Sequence, residues 1–131
     1  MSRLFFALSL IACVLGSASV SFAQDAALGK TEFEKNCAAC HQVTGKGIKG
    51  AFPALAGSVV AQGPETGVIE LVLKGRGGMP SFAPALEDST LADILTYVRQ
   101  AWGNHAGPIA ATELSKIRGT LEVDQAMLKG N

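Results

Sequence analysis

Apolar and polar residues fall into blocks of different period along this chain. The first block is nearly continuous: residues 4–15 are mostly apolar, and a run of small residues from Gly16 to Ala23 follows. Helical spacing comes next, with Gly29, Phe33 and Cys37 four residues apart on one stripe and Asp25 able to cap the helix that carries them. A glycine inside a helix costs about 1 kcal/mol relative to alanine, so Gly29, one turn before Phe33, points to another backbone passing close by; the other reading is tolerated looseness near a helix end. Residues 42–63 are rich in glycine, contain Pro53 and keep no period, which reads as loop. Pro64 then takes a first helical place and Glu65 the first turn, Val68, Ile69, Val72 and Leu73 make an apolar face, and Gly75 ends the helix. The strongest stripe, Leu91, Ile94, Leu95, Val98 and Trp102, predicts a helix from about Asp88 to Trp102, capped by Asp88, Ser89 or Thr90. Past Gly103 the pattern breaks, and Thr112 caps a last short helix through Arg118 that turns Leu114 and Ile117 inward and stops at Gly119. The end from Leu121 to Asn131 has no decisive pattern. No strand alternation is legible, so the expected fold class is all-α, with three to five short helices.

The chain's 131 residues suit one domain of ordinary size. Its start, with Arg3, a short apolar run, and small Ser21 and Ala23 before a cut between Ala23 and Gln24, has the plan of a secretory signal peptide. The apolar run is too short to span a bilayer. Residues 1–23 are therefore expected to be removed, leaving residues 24–103 as the main domain and 104–131 as an extension with one short helix. The mature chain would be periplasmic and have no membrane span. Two alternatives stand beside this: a retained membrane helix, and a lipid on Cys13 of Leu10-Ile11-Ala12-Cys13, although apolar sequence continues past that cysteine. Only Arg3 among the charged residues precedes the cut, so the remainder is nearly neutral and nothing indicates a nucleic acid or acidic membrane partner.

The chemistry concentrates in Cys37-Ala38-Ala39-Cys40-His41. A Cys-x-x-Cys-His run is the attachment signal of a c-type haem, whose edge bonds two thiols and whose iron binds the histidine. On a helix, positions three and four apart share a face, so both sulfurs and the imidazole can reach one ring. The spacing also admits half a zinc site or a dithiol redox switch. Zinc would need four ligands, and beyond the pair the chain offers only Cys13, His41 and His105. One covalent haem c is the expected cofactor. Met79, in the turn Gly77-Gly78-Met79-Pro80, is a candidate second axial ligand, since a histidine with a thioether raises the potential of electron-transfer haems. An isolated methionine can also be core filler, and Met127 in the tail reads as packing.

Taken together, Cys37 to His41, Gly77-Gly78-Met79-Pro80-Ser81-Phe82 and a final helix with Leu95-Thr96-Tyr97-Val98-Arg99 resemble a class I bacterial cytochrome c over about Ala27 to Trp102. The resemblance implies the cytochrome c fold, with the first helix crossing the last so that Gly29 and Phe33 meet Tyr97. It also matches Pro53 to the family's proline, whose carbonyl accepts a hydrogen bond from the ligating histidine; a merely stiff loop is the other reading of that residue. Trp102-Gly103-Asn104 and Ala111 to Arg118 resemble the last haem domain in cytochrome subunits of periplasmic dehydrogenases.

The expected function is one-electron transfer without catalysis of a substrate, with both axial positions filled by His41 and Met79. The resemblance implies a periplasmic dehydrogenase as donor and a terminal oxidase or another cytochrome as acceptor. Lys46, Lys49, Lys74 and Arg76 could ring the haem edge as a docking patch or be ordinary solvated charges. The rival is a haem enzyme or gas sensor with an open iron position, in which Met79 does not bind; His105 is the other conceivable ligand. A third reading is a subunit docked permanently to a dehydrogenase.

Overall fold

A computed structural model of the chain describes residues 26–129. The expected signal peptide, its cut, Cys13 and the Asp25 cap lie outside the described residues. Five helices run in order: α1 (Ala26–Asn36), α2 (Ala38–His41), α3 (Glu65–Lys74), α4 (Asp88–Gln100) and α5 (Ala111–Lys129). Among the described residues there is no strand, only the isolated bridges Ile48–Phe52 and Arg76–Met79. The class is all-α and the arrangement that of a cytochrome c.

The crossing of α1 on α4 organises the molecule. A Cβ built on Gly29 would fall onto the carbonyl of Asp93, 2.7 Å from its carbon, and 3.0 Å from the Cβ of Tyr97. The two backbones therefore touch where the sequence leaves out a side chain. One turn on, Phe33 is wholly buried and stands 5.6 Å from the Tyr97 ring and 5.2 Å from the Trp102 ring, centre to centre. Helix α3 turns Val68, Ile69, Val72 and Leu73 inward, as its spacing predicts, to pack with Leu91, Ala92 and Leu95 of α4. Its chain reverses at Gly75, where φ is 71°.

Three local expectations give way to tertiary contacts. The α4 helix stops at Gln100, so Trp102 lies past it at φ 53° and not on its stripe. A left-handed backbone costs a residue with a Cβ about 1–2 kcal/mol. The indole offsets this by donating from Nε1 to the Val43 carbonyl at 3.1 Å and meeting Phe33 and Tyr97 edge-on. None of Asp88, Ser89 or Thr90 caps α4: the capping position is Glu87, with no side-chain cap bond, and the Asp88 carboxylate turns to Ser115 and Arg118 of α5 instead. Finally, α5 begins at Ala111, so Thr112 is inside it, and it runs through Gly119 for 19 residues. A helical glycine weakens a helix without ending it, and Leu121 beyond it still packs on the core. Leu114 and Ile117 are buried as expected, but Met127 is 62% exposed and does not serve as packing.

Residues 104–110 join α5 to the same core. Ile109 is fully buried, and its N–H is accepted by the Thr96 hydroxyl at 3.0 Å. The buried Arg99 donates to three main-chain carbonyls, Gly107 at 2.7 Å, Ala61 at 3.0 Å and Gly63 at 2.9 Å, which satisfies a cation that has left water.

Candidate haem-binding site

The Cys-x-x-Cys-His run sits where the first helix breaks. At Cys37 the backbone leaves α1 (φ −123°, ψ −32°), and α2 restarts for one turn that carries Cys40 and His41. Neither cysteine is in a disulfide, and both are half-buried. Burial first, and Cys40 beside it second, push the Cys37 thiol up to about 11, so it is uncharged at neutral pH. A dithiol redox switch relies on the opposite displacement. Among the described residues no three His, Cys, Asp or Glu side chains gather as a metal cluster, which leaves the zinc reading without a ligand set there.

The His41 imidazole is held by the loop that follows. Its Nδ1 lies 2.9 Å from the carbonyl oxygen of Pro53. A carbonyl can only accept, so Nδ1 carries the proton and the Nε2 lone pair is left for a metal. Gly47 lets the loop come this close. It sits at φ 61°, donates its N–H to the His41 carbonyl at 2.9 Å, and a Cβ on it would stand 2.6 Å from the Pro53 oxygen itself. The Ile48–Phe52 bridge closes the turn between them.

Met79 is presented by a second turn. Arg76 and Met79 exchange N–H to carbonyl bonds of 3.0 Å around Gly77 and Gly78. The turn is then fastened to the last carbonyls of α3, because the Ser81 hydroxyl donates to Leu73 and the Phe82 N–H to Val72 at 3.1 Å. Those carbonyls would otherwise lack partners at the helix end.

Cys37, His41, Pro53, Arg76, Met79 and Phe82 together line two adjoining hollows, and Cys40 lines the second. The walls of the first are almost wholly apolar: among the described residues, the only side chains on it able to ligate or to hydrogen-bond are Cys37, His41, Ser58, Arg76 and Met79. A large flat apolar ring with a metal at its centre fits that donor set, and a polar substrate does not. His105 is exposed, lines neither hollow, and its backbone N–H is accepted by Gln62 at 3.0 Å. Lys46, Lys49, Lys74 and Arg76 are all exposed; Lys74 is paired with Glu70 at 2.9 Å, and Lys46 and Lys49 flank a separate shallow hollow at Phe52.

Sequence reasoning passed over the residue that fastens the far wall. Asn104 is 1% exposed, accepts from the Gly57 N–H at 2.8 Å and donates to the carbonyls of Leu55 at 3.0 Å and Val98 at 2.8 Å. It ties the wall residue Leu55 to the end of α4. In sequence it is one more polar residue after a glycine, and its partners are up to 49 positions away. Asn104→Ala strands the buried Val98 carbonyl and the part-buried Leu55 carbonyl and Gly57 N–H, at about 1–3 kcal/mol for a fully buried group, and is expected to lower holoprotein stability by about 3 kcal/mol in urea unfolding. A loss below about 1 kcal/mol would show that water or a shifted loop replaces those bonds.

A ring of short helices around an apolar hollow, with a Cys-x-x-Cys-His run on its wall, defines a c-type cytochrome domain. The family model described as cytochrome C oxidase, cbb3-type, subunit III matches residues 24–98, and the chain belongs to this family of c-type cytochromes. It is similar to cytochrome c-552 of Thermus thermophilus, 34% identical over 113 residues, covering 70% of this chain and 86% of that one. The alcohol dehydrogenase (quinone) cytochrome c subunit of Gluconobacter oxydans (strain 621H) is 33% identical over 105 residues, covering 70% of this chain; the chain spans only 22% of that subunit's length. The CcoP subunit of the cbb3-type cytochrome c oxidase of Azospirillum brasilense is 32% identical over 82 residues, covering 57% of this chain and 28% of that one. Family membership implies covalently bound haem c, and one Cys-x-x-Cys-His run provides for one haem.

Proposed function

We propose that this protein is a periplasmic one-electron carrier, exported by removal of residues 1–23, with residues 24–103 as its cytochrome domain and 104–131 as a C-terminal extension. The observation that carries the reading is the meeting of His41 and Met79 on the walls of one apolar hollow, with the His41 Nδ1 committed to Pro53. Cys37 and Cys40 would hold the ring edge through thioethers, His41 Nε2 and the Met79 sulfur would ligate its iron, and the Pro53 carbonyl would fix the imidazole plane and its basicity. When bound, haem supplies a reversible ferric–ferrous couple. The protein's part is to keep both ligand atoms in place in either state and to keep water away with the apolar walls, so that little reorganises when charge changes. With His41 and Met79 both committed to the iron, no open position would be left for a substrate, which favours a carrier over an enzyme.

The donor is a periplasmic dehydrogenase and the acceptor a terminal oxidase or another cytochrome. Similarity to subunits named for an alcohol dehydrogenase and for a cbb3-type oxidase supports these two sides. A second reading, a subunit docked permanently to a dehydrogenase, is favoured by the exposed apolar end of α5, where Val123, Met127 and Leu128 are 57%, 62% and 80% exposed. Size-exclusion of the native extract separates them: a carrier elutes alone.

The test is spectroscopic. The exported protein should weigh one haem more than its polypeptide, and its oxidised form should show a sulfur-to-iron charge-transfer band that Met79→Ala abolishes. With the thioether gone, the reduction potential should fall, because a soft ligand favours ferrous iron. A mass without haem, or a band that survives Met79→Ala, overturns the reading.

A further inference from the structure

Met79 stands on a turn with two flanks. The near flank is fastened to α3 through Ser81 and Phe82. The far flank, from Ala83 to Asp88, carries the wall residue Leu86 into α4, and its first turn closes by bonds of 3.1 Å from the N–H groups of Ala85 and Leu86 to the Phe82 carbonyl. This far flank is held from α5.

Arg118 grips it at three points. One guanidinium nitrogen donates to the Ala83 carbonyl, a second to the Leu86 carbonyl at 3.0 Å, and Nε to the Asp88 carboxylate at 2.8 Å. The other oxygen of that carboxylate accepts the Ser115 hydroxyl at 2.6 Å. The Arg118 and Asp88 side chains are only 18% and 22% exposed, so solvent screens the pair less than an ordinary surface ion pair. A planar fork with fixed donor directions suits three acceptors spread along six residues, whereas a lysine ammonium cannot span them.

We propose that Arg118 is a positioning residue for the Met79 sulfur: acting through the Ala83–Asp88 segment, it holds Phe82 and Leu86 against the hollow and keeps the thioether turned to the iron. The inference rests on the reading of Met79 as an axial ligand. It makes α5, which lies wholly beyond the stretch matched by the family model, a determinant of how firmly that ligand is held.

The test is competition at the iron by an added ligand. Full-length oxidised holoprotein is titrated with imidazole, and loss of the sulfur-to-iron band gives its apparent affinity. Removing charged hydrogen bonds in Arg118→Met should raise that affinity about tenfold, and Arg118→Lys should restore little of it. Ile117→Ala, on the same helix but facing the α3–α4 core, should lower the melting temperature at least as much while leaving imidazole affinity within about twofold of the parent. Should Arg118→Met not be recovered folded, the double variant Asp88→Asn, Ser115→Ala loosens the same grip and carries the same expectation. Unchanged imidazole affinity in the Arg118 variant, or an equal change in Ile117→Ala, overturns the proposal. Failure of the underlying reading looks different: the band is then missing from the parent or persists in Met79→Ala, and the inference falls with it.

Discussion

Made without haem as the Cys37→Ala, Cys40→Ala double variant, this chain is expected to lose most of its helical circular dichroism and to show no cooperative urea transition. The reason lies in what the helices face. Phe33 of α1, Val68 and Val72 of α3, and Leu91, Ile94, Leu95 and Val98 of α4 are buried residues that line the hollow, while Ile69, Leu73, Ala92, Ile109, Leu114 and Ile117 are buried away from it. Haem would be the common neighbour of those that line the hollow, and without it that part of the core would face an open space. A domain of about a hundred residues keeps a net stability of only about 5–15 kcal/mol, so losing the contacts at its centre removes more than the periphery can offset. Native helix content in the haem-free variant would show that the helices pack without the ring.

Gly29→Val should be the most damaging single change away from the ligands, lowering stability by at least about 3 kcal/mol. Any Cβ at this position meets the Asp93 main chain, which cannot rotate away as a side chain can. The helices would have to part, and with them Phe33 from Tyr97 and Trp102. Lys30→Ala, one residue on and exposed, should stay within about 0.5 kcal/mol and serves as the control. Equal effects at the two positions in holoprotein denaturation would mean that the α1–α4 contact is looser than its geometry.

Several parts of this architecture were legible because their causes are local. The α3 helix follows from Pro64, Glu65, four apolar residues on one face and Gly75, and every one of those apolar residues is buried. Leu91, Ile94, Leu95 and Val98 likewise take the inward face of α4. Gly29 was readable because a weakening residue on a packed stripe needs a reason, and the crossing backbone supplies it. Where local rules failed, a distant partner had outbid them. Asp88 left its capping role for Arg118, 30 positions away, and Trp102 left the helix for Val43, 59 positions away. Gly119 did not end α5 because the following turn still had core to reach through Leu121.

By itself the sequence determined the all-helical class, the helix faces and the Cys-x-x-Cys-His run, because periodicity and motif spacing are properties of neighbouring residues. Only the tertiary structure decided that the loops around Pro53 and Met79 share one hollow, that Gly47 and Asn104 hold its walls, and that α5 grips the flank of the Met79 turn. Those facts rest on hydrogen bonds and close approaches between segments tens of residues apart. No local pattern records them, since each requires the chain to have folded before the partners meet.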